Sequence, residues 1–344
     1  MRQTATSIRL LVSASVLLVV LVAQPGVAAA APSPTATPAQ QGKAVYEWYR
    51  LSQVNANVSE QRLSFLRGEG FTTVYADVGE YLDVAVQPVS RTQQSRLSRL
   101  TSDLRNFVAR ASKLGFAVHG LAGGPNWTAE SNRDLGPKLL QLIADYNAAA
   151  APNEQLKGVQ FDIEPYVESS FWDNVEVSLQ AYLWTLKGIV ERYEQGTGGL
   201  ALGFAVPFWF DGTPEVPEVT FGDTEDPTKA AAFHLIDMLR ERPEAYVVVM
   251  AYRNFTSGPD GSIAHAYSEF DYASRVANAA CGILVGQEFT RVTPKKLSFW
   301  WTGRAAFRQA AGELTGAYGG LPQFRGISVN DIDGYEAAGE YGRR

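Results

Sequence analysis

Lys157-Gly158-Val159-Gln160-Phe161-Asp162-Ile163-Glu164-Pro165 alternates apolar and polar residues from Val159 onward, the period of a β-strand with two unlike faces. Val159, Phe161 and Ile163 share one face, and Gln160, Asp162 and Glu164 share the other. Seven further segments rich in β-branched and aromatic residues surround it in sequence, at 44–51, 71–78, Ala117–Ala122, 201–206, 245–252, 283–288 and 326–330. Amphipathic, helix-compatible stretches lie between them, among them 92–114, 135–150, 174–194, 230–240 and 304–318. Strict β-then-α alternation implies a parallel sheet with right-handed crossovers, and eight repeats close as a single-domain (β/α)8 TIM barrel of the α/β class. An open doubly wound sheet would bring a Gly-rich phosphate turn after its first strand. Here that strand runs into Ser52-Gln53-Val54-Asn55. Gly115, Gly158 and Gly326 stand before or at strand starts, where chain leaving a helix requires positive φ.

In such a barrel the reacting groups gather at the C-terminal ends of the strands, so the end of the fourth strand becomes the first suspect. Two acids on one inward face are costly, because burial and mutual repulsion both oppose the doubly charged state. The pair is tolerated where one member has to hold a proton, and a proton-holding acid beside an ionised neighbour is what protonating a glycosidic oxygen requires.

At this point the sequence resembles the family 18 glycoside hydrolases, chitinase-like barrels whose fourth strand carries Asp-Gly-x-Asp-x-Asp-x-Glu. Gly158, Asp162 and Glu164 match the Gly, the last Asp and the Glu, while Lys157 and Gln160 stand where that family has its other aspartates. Met250-Ala251-Tyr252-Arg253 is similar to its Met-x-Tyr-Asp, with Arg253 in the place of the acid. The resemblance implies Glu164 as general acid, Asp162 orienting the substrate, and Tyr252 hydrogen-bonding the reacting sugar. A second resemblance lies in Ile163-Glu164-Pro165, which looks like the Asn-Glu-Pro acid/base motif of the clan A retaining glycosidases. Those enzymes take a nucleophilic Glu from the end of strand seven, where this chain has Glu288, with Leu284 and Gly286 on the same face. The two mechanisms differ in whether the substrate's own acetamido oxygen or Glu288 attacks the anomeric carbon, and both keep Glu164 as the acid.

Other strand ends supply candidate substrate contacts. Glu47, read as lumenal, would need a partner such as Arg50 or Arg253, while Trp48, alternating away from it, would pack against a helix. Asp77, Gln160 and Asn330 are further candidates, Asp331 ends the eighth strand, and His119 reads as a satisfied core histidine. Aromatic rings crowd the segments beyond the strands, and Trp127 and Trp209, flanked by Pro, Gly or polar residues, are the expected sugar platforms.

Three histidines without paired spacing argue against a metal hydrolase, and no Gly-x-Ser-x-Gly elbow is present, so neither metal nor cofactor is expected. The first residues carry Arg2 and Arg9, then an apolar run from Leu10 to Ala23, Pro25-Gly26 and the Ala28-x-Ala30 pattern. Residues 1–30 therefore read as a cleaved signal peptide, residues 31–42 as a Pro/Thr/Ser/Ala-rich linker, and residues 43–344 as the barrel. Cleavage would leave no membrane-inserted segment and send the protein outside the cell. Without the two arginines the formal charge falls from -6 to -8, unsuited to nucleic acid. The single cysteine, Cys281, forbids an internal disulfide and reads as a small buried residue. The expectation is a secreted, monomeric glycoside hydrolase acting on a polysaccharide, with amino-sugar polymers among the candidates. Its alternative, motivated by Lys157, Gln160 and Arg253, is a catalytically silent barrel that binds glycans or a protein partner.

Overall fold

The computed structural model of the chain describes residues 41–196, 199–222 and 227–343. The expected signal peptide, and the expected linker up to residue 40, lie outside them. Eight parallel strands close into a barrel in sequence order: β1 (Gly42–Glu47), β2 (Phe71–Asp77), β3 (Ala117–Ala122), β4 (Gly158–Phe161), β5 (Ala201–Pro207), β6 (Ala245–Met250), β7 (Gly282–Glu288) and β8 (Phe324–Asn330). Closure joins β1 to β8, with Val45 paired to Val329, and on its other side Val45 is paired to Val74 of β2. A short antiparallel ribbon, Val219–Thr220 with Thr228–Lys229, interrupts the segment after β5 and has no counterpart in the sequence reading.

The helices that wrap the barrel are α1 (Leu51–Asn57), α2 (Glu60–Gly68), α3 (Gly79–Ala85), α4 (Arg91–Lys113), α5 (Leu135–Ala149), α6 (Val175–Glu194), α7 (Ala231–Leu239), α8 (Ser262–Asp271), α9 (Gly303–Tyr318) and α10 (Ile332–Ala338). Several begin at side chains that satisfy an otherwise unpaired backbone N–H. Ser90 accepts from Gln93 N at 3.0 Å and Asp331 from Gly334 N at 2.8 Å. Among the described residues no helix is long and apolar enough to cross a membrane.

Strand alternation divides the interior in two. Val45, Val74, Val159, Phe161, Phe204, Val247, Val249, Ile283 and Val285 face the helices and form the main core, each fully buried large side chain contributing roughly 1.5–3 kcal/mol. Ala44, Tyr46, Tyr75, Leu121, Tyr246, Val248 and Leu284 fill the lumen as a separate cluster. Tyrosine rings are long enough to close this lumen only where facing positions are small. A Cβ at Gly203 would overlap both Gln160 and Tyr246, so glycine is required there. His119 belongs to the same plug, its Nδ1 paired with the Tyr246 hydroxyl at 2.8 Å, the satisfied core histidine the sequence suggested. Cys281 is fully buried and free.

Of the three glycines expected at positive φ, Gly115 (81°) and Gly326 (116°) adopt it and Gly158 does not. Gly158 is needed for space instead, since a Cβ would stand 2.7 Å from His119 Nδ1.

The first strand corrects the reading at both ends and in its phase. It spans Gly42–Glu47, not 44–51, and the chain enters α1 at Leu51. The lumenal side chains are therefore Ala44 and Tyr46, while Glu47 keeps the parity of Val45 and turns towards the helices. Trp48 swings to the barrel mouth rather than onto a helix.

Candidate active site

β4 ends its ladder at Phe161, yet Asp162 N still donates to Ala122 O at 3.1 Å, so the strand's alternation carries over onto the rim. A Cβ at Gly123 would overlap the Asp162 backbone, and this close approach of the β3 exit holds Asp162 in place. Ile163 packs into the outer core, leaving Asp162 and Glu164 to project together into the mouth. Burial first, and then the neighbouring Glu164, push the Asp162 carboxyl up to about 8. Burial also raises Glu164, opposed by a hydrogen bond from the Tyr166 hydroxyl to Glu164 Oε1. Asp162 Oδ1 is shut off from solvent and has no donor, which a carboxylate tolerates poorly and a protonated acid tolerates well. Burial and mutual repulsion therefore both oppose the doubly ionised state of this pair.

Tyr166 sits in a single 3-10 turn, Pro165–Val167, where Pro165 sets the backbone at its start. Its ring meets Trp209 edge-on at 4.8 Å, and its carbonyl accepts from Trp172 Nε1 at 3.0 Å. Trp209 follows β5 in the turn Phe208–Asp211, and Trp172, 49% exposed, lies 6.0 Å from it. One side of Glu164 is therefore an aromatic wall, built from loops after β4 and β5.

Across the mouth, Glu288 ends β7. Its Oε1 accepts from Thr290 N at 2.5 Å and its Oε2 from Asn330 Nδ2 at 2.8 Å. Register places Asn330 beside Glu288 on neighbouring strands, and Asn330 Oδ1 accepts in turn from Trp48 Nε1 at 2.8 Å. Trp48 stacks on Tyr46 at 5.6 Å and 18°, and the Tyr46 hydroxyl accepts from Gln160 Nε2 at 3.1 Å. A continuous chain of contacts thus runs from Glu288 to the lumen floor below Asp162. Tyr252 follows β6, and its hydroxyl is held far above its ordinary range by burial, then by Glu288, Asp162 and Glu164 in that order. It stands within electrostatic reach of all three carboxyls.

The remaining sequence candidates separate. Asp77 ends β2 with Oδ1 accepting from Gly79 N at 2.7 Å, and burial pushes it up to about 6. With Trp48 and Trp127 it lines a cleft of about 280 Å3 at the exits of β1, β2 and β3. Trp127 is only 7% exposed and packs edge-on against Phe161 at 6.3 Å, so it offers a rim more than a platform. Gln160 is fully buried and props Tyr46 from below. Glu47 does not enter the mouth. It faces outward with Oε1 accepting from Tyr49 N at 2.5 Å, and burial raises its carboxyl well above the usual range. Arg253, a suggested partner for Glu47, instead binds Asp260 through Nε at 2.8 Å and Nη2 at 2.6 Å. Asp331 is the N-cap of α10, its side chain accepting from Gly334 N. Among the described residues, no cluster of three or more His, Cys, Asp or Glu could hold a metal ion.

The raised pKa of Asp162 carries a stability consequence with a definite sign. Between its unfolded value, about 4, and its folded value, about 8, the folded chain holds the extra proton, so this group's contribution to stability falls as pH rises through that window. Asp162→Asn removes the penalty, and thermal melts should show the variant gaining on wild type at pH 8, by roughly 2–4 °C per kcal/mol recovered, and gaining nothing at pH 4. A gain of equal size at both pH values would mean that the carboxyl is not the cause.

No family model matches the sequence, and no curated protein matches it. Solved structures with barrels similar in shape include a chitinase from Bacteroides thetaiotaomicron, at 11% identity and TM-score 0.47, covering 86% of this chain and 90% of that one. A glycoside hydrolase family 5 enzyme from Prevotella bryantii is similar at 10% identity and TM-score 0.48, covering 85% and 89%. A sugar phosphate isomerase/epimerase from Parabacteroides distasonis is similar at 10% identity and TM-score 0.45, covering 89% and 93%. At such identities and TM-scores these likenesses carry no argument about this chain, whose barrel is read from its own strands.

Proposed function

We propose that this chain is a secreted glycoside hydrolase acting on a polysaccharide, with Glu164 as its proton donor. One observation carries the reading: two adjoining carboxyls in a barrel mouth, neither ion-paired among the described residues, with Asp162 Oδ1 shut off from solvent and without a donor, a setting that favours keeping a proton on the pair. Donating that proton to a glycosidic oxygen leaves both carboxyls charged, the state their mutual repulsion opposes. Positive charge developing at the anomeric carbon offsets the repulsion, so the pair is better matched to the transition state than to the ground state. Tyr166 fixes Oε1 of Glu164, leaving Oε2 to carry the proton. Glu288, with both oxygens oriented by Thr290 and Asn330, faces the opposite side of the bond as nucleophile. Trp209 and Trp172 offer flat faces for the sugar leaving group.

One feature favours the rival reading of a glycan-binding barrel without turnover: both Glu288 oxygens already accept hydrogen bonds. The two separate in one experiment. The purified full chain should release new reducing ends from at least one member of a panel of neutral and amino-sugar polysaccharides. Binding to a polysaccharide with no release from any of them would remove the hydrolase reading and leave the rival.

A further inference from the structure

The cleft at the exits of β1, β2 and β3 is lined by more acids than cations, and its walls are partly indole. Trp48, 42% exposed, is its ring face, tied through Asn330 to Glu288 by two hydrogen bonds. A ligand resting on Trp48 therefore bears on a side chain that is hydrogen-bonded, through Asn330, to Glu288. At about 280 Å3 the cleft is at the small end of ligand sites, about 300–1,000 Å3, and suits one sugar ring.

Its charges do not cancel. Arg50 is the cation in the lining and reaches Glu80 at 3.6 Å, and Glu80 also accepts from Ser52 N at 3.0 Å. Asp77 and Asp83 have no ion-pair partner among the described residues. Asp77 uses one oxygen on Gly79 N, and burial has already withdrawn much of the water that would solvate the other. A uronate or sulfated sugar would meet uncompensated negative charge there. A neutral sugar would gain stacking alone. A protonated amine would stack through its ring and supply the missing counter-charge to Asp77.

We infer that this cleft binds an amino sugar bearing a free, protonated amine, and that the substrate is a cationic hexosamine polymer. The inference rests on the glycosidase reading for the word substrate, but the binding preference stands apart from turnover. Charge pairing of this kind favours the cationic sugar by about tenfold, the equivalent of about 1.4 kcal/mol.

The test compares β-1,4-linked tetramers of glucosamine, N-acetylglucosamine and glucose at pH 6.5, where amine and Asp77 both carry substantial charge, by calorimetry on Glu164→Gln and by turnover on wild type. The glucosamine tetramer should bind about tenfold tighter than the glucose tetramer at 50 mM salt and approach parity at 0.5 M, because screening acts on the charge pair and not on the stacking. Asp77→Asn should bring the ratio near one. Asp83→Asn, at an exposed position, should lower it partway, which keeps the test valid if the Asp77 variant folds poorly. Equal or weaker binding of the glucosamine tetramer, or a preference untouched by salt and by both variants, would overturn the inference. If the variant binds the cationic tetramer selectively while wild type cleaves nothing, the glycosidase reading falls and the amine site stands. If wild type cleaves the tetramers while the variant shows no preference for the cationic one, the glycosidase reading stands and the amine site falls.

Discussion

Glu164→Gln is expected to cut turnover about 10²–10⁴-fold on unactivated substrates, with KM little changed, the loss typical of a positioned proton donor. Glutamine keeps the shape of the side chain, and its amide oxygen can still accept from Tyr166, so the wall formed by Tyr166 and Trp209 should stay in place. What disappears is the transferable proton. A general acid works only while protonated, so wild-type activity should fall as pH rises past the carboxyl pair's upper ionisation, and the variant should lack that alkaline limb. Substrates whose leaving group departs without protonation, such as dinitrophenyl glycosides, should be spared most of the loss. The change also removes the like charge that helps hold Asp162 up at about 8, so the Asp162 carboxyl should ionise at lower pH in the variant. Full turnover by Glu164→Gln on a polysaccharide that wild type cleaves would sink the assignment.

The barrel was legible because its evidence is local and repeated. Each strand announces itself by residue type, and the two-residue period alone places Gln160, Asp162 and Glu164 on one face. Asp162 and Glu164 come together at the mouth, but Gln160 lies beneath it, because position along the strand decides depth and periodicity does not report depth. The end of β1 differs from the sequence reading for a related reason. Trp48 and Tyr49 favour strands, so they extended the segment, whereas pairing with β2 and β8 ends it at Glu47. The phase is a separate matter, since moving the ends by two or four residues leaves the parity unchanged: Tyr46 packs with Tyr75 and Tyr246 in the lumen, which puts Glu47 outside. The Tyr166–Glu164 contact, two residues apart, was within reach of sequence reading. The Trp48–Asn330 bond, spanning 282 residues, was not, because only barrel closure brings those strand ends together. Arg253 shows the same limit, since its partner Asp260 lies in a loop with no periodic signal.

Replacing Glu288 should be as damaging as replacing the acid, and it decides between the two routes that the sequence left open. If its carboxylate attacks the anomeric carbon, Glu288→Ala loses about three orders of magnitude in turnover, on the order of 4 kcal/mol of barrier. Added azide should then restore part of the rate, because the small anion fits the space left by the side chain and attacks in its place, giving a glycosyl azide of inverted configuration while wild type retains configuration. Asn330→Ala should cost less, since it frees Oε2 while Thr290 N still holds Oε1. The Tyr252 hydroxyl, which feels Glu288 more than the other carboxyls, should become easier to ionise in Glu288→Ala, a change visible in ultraviolet titration and independent of any substrate. If Glu288→Ala keeps more than a tenth of wild-type turnover, the carboxylate only braces Asn330 and Trp48. Attack must then come from the substrate itself or from water, and the aligned pair of Asp162 and Glu164 would have to supply both the acid and the charge that steadies the intermediate.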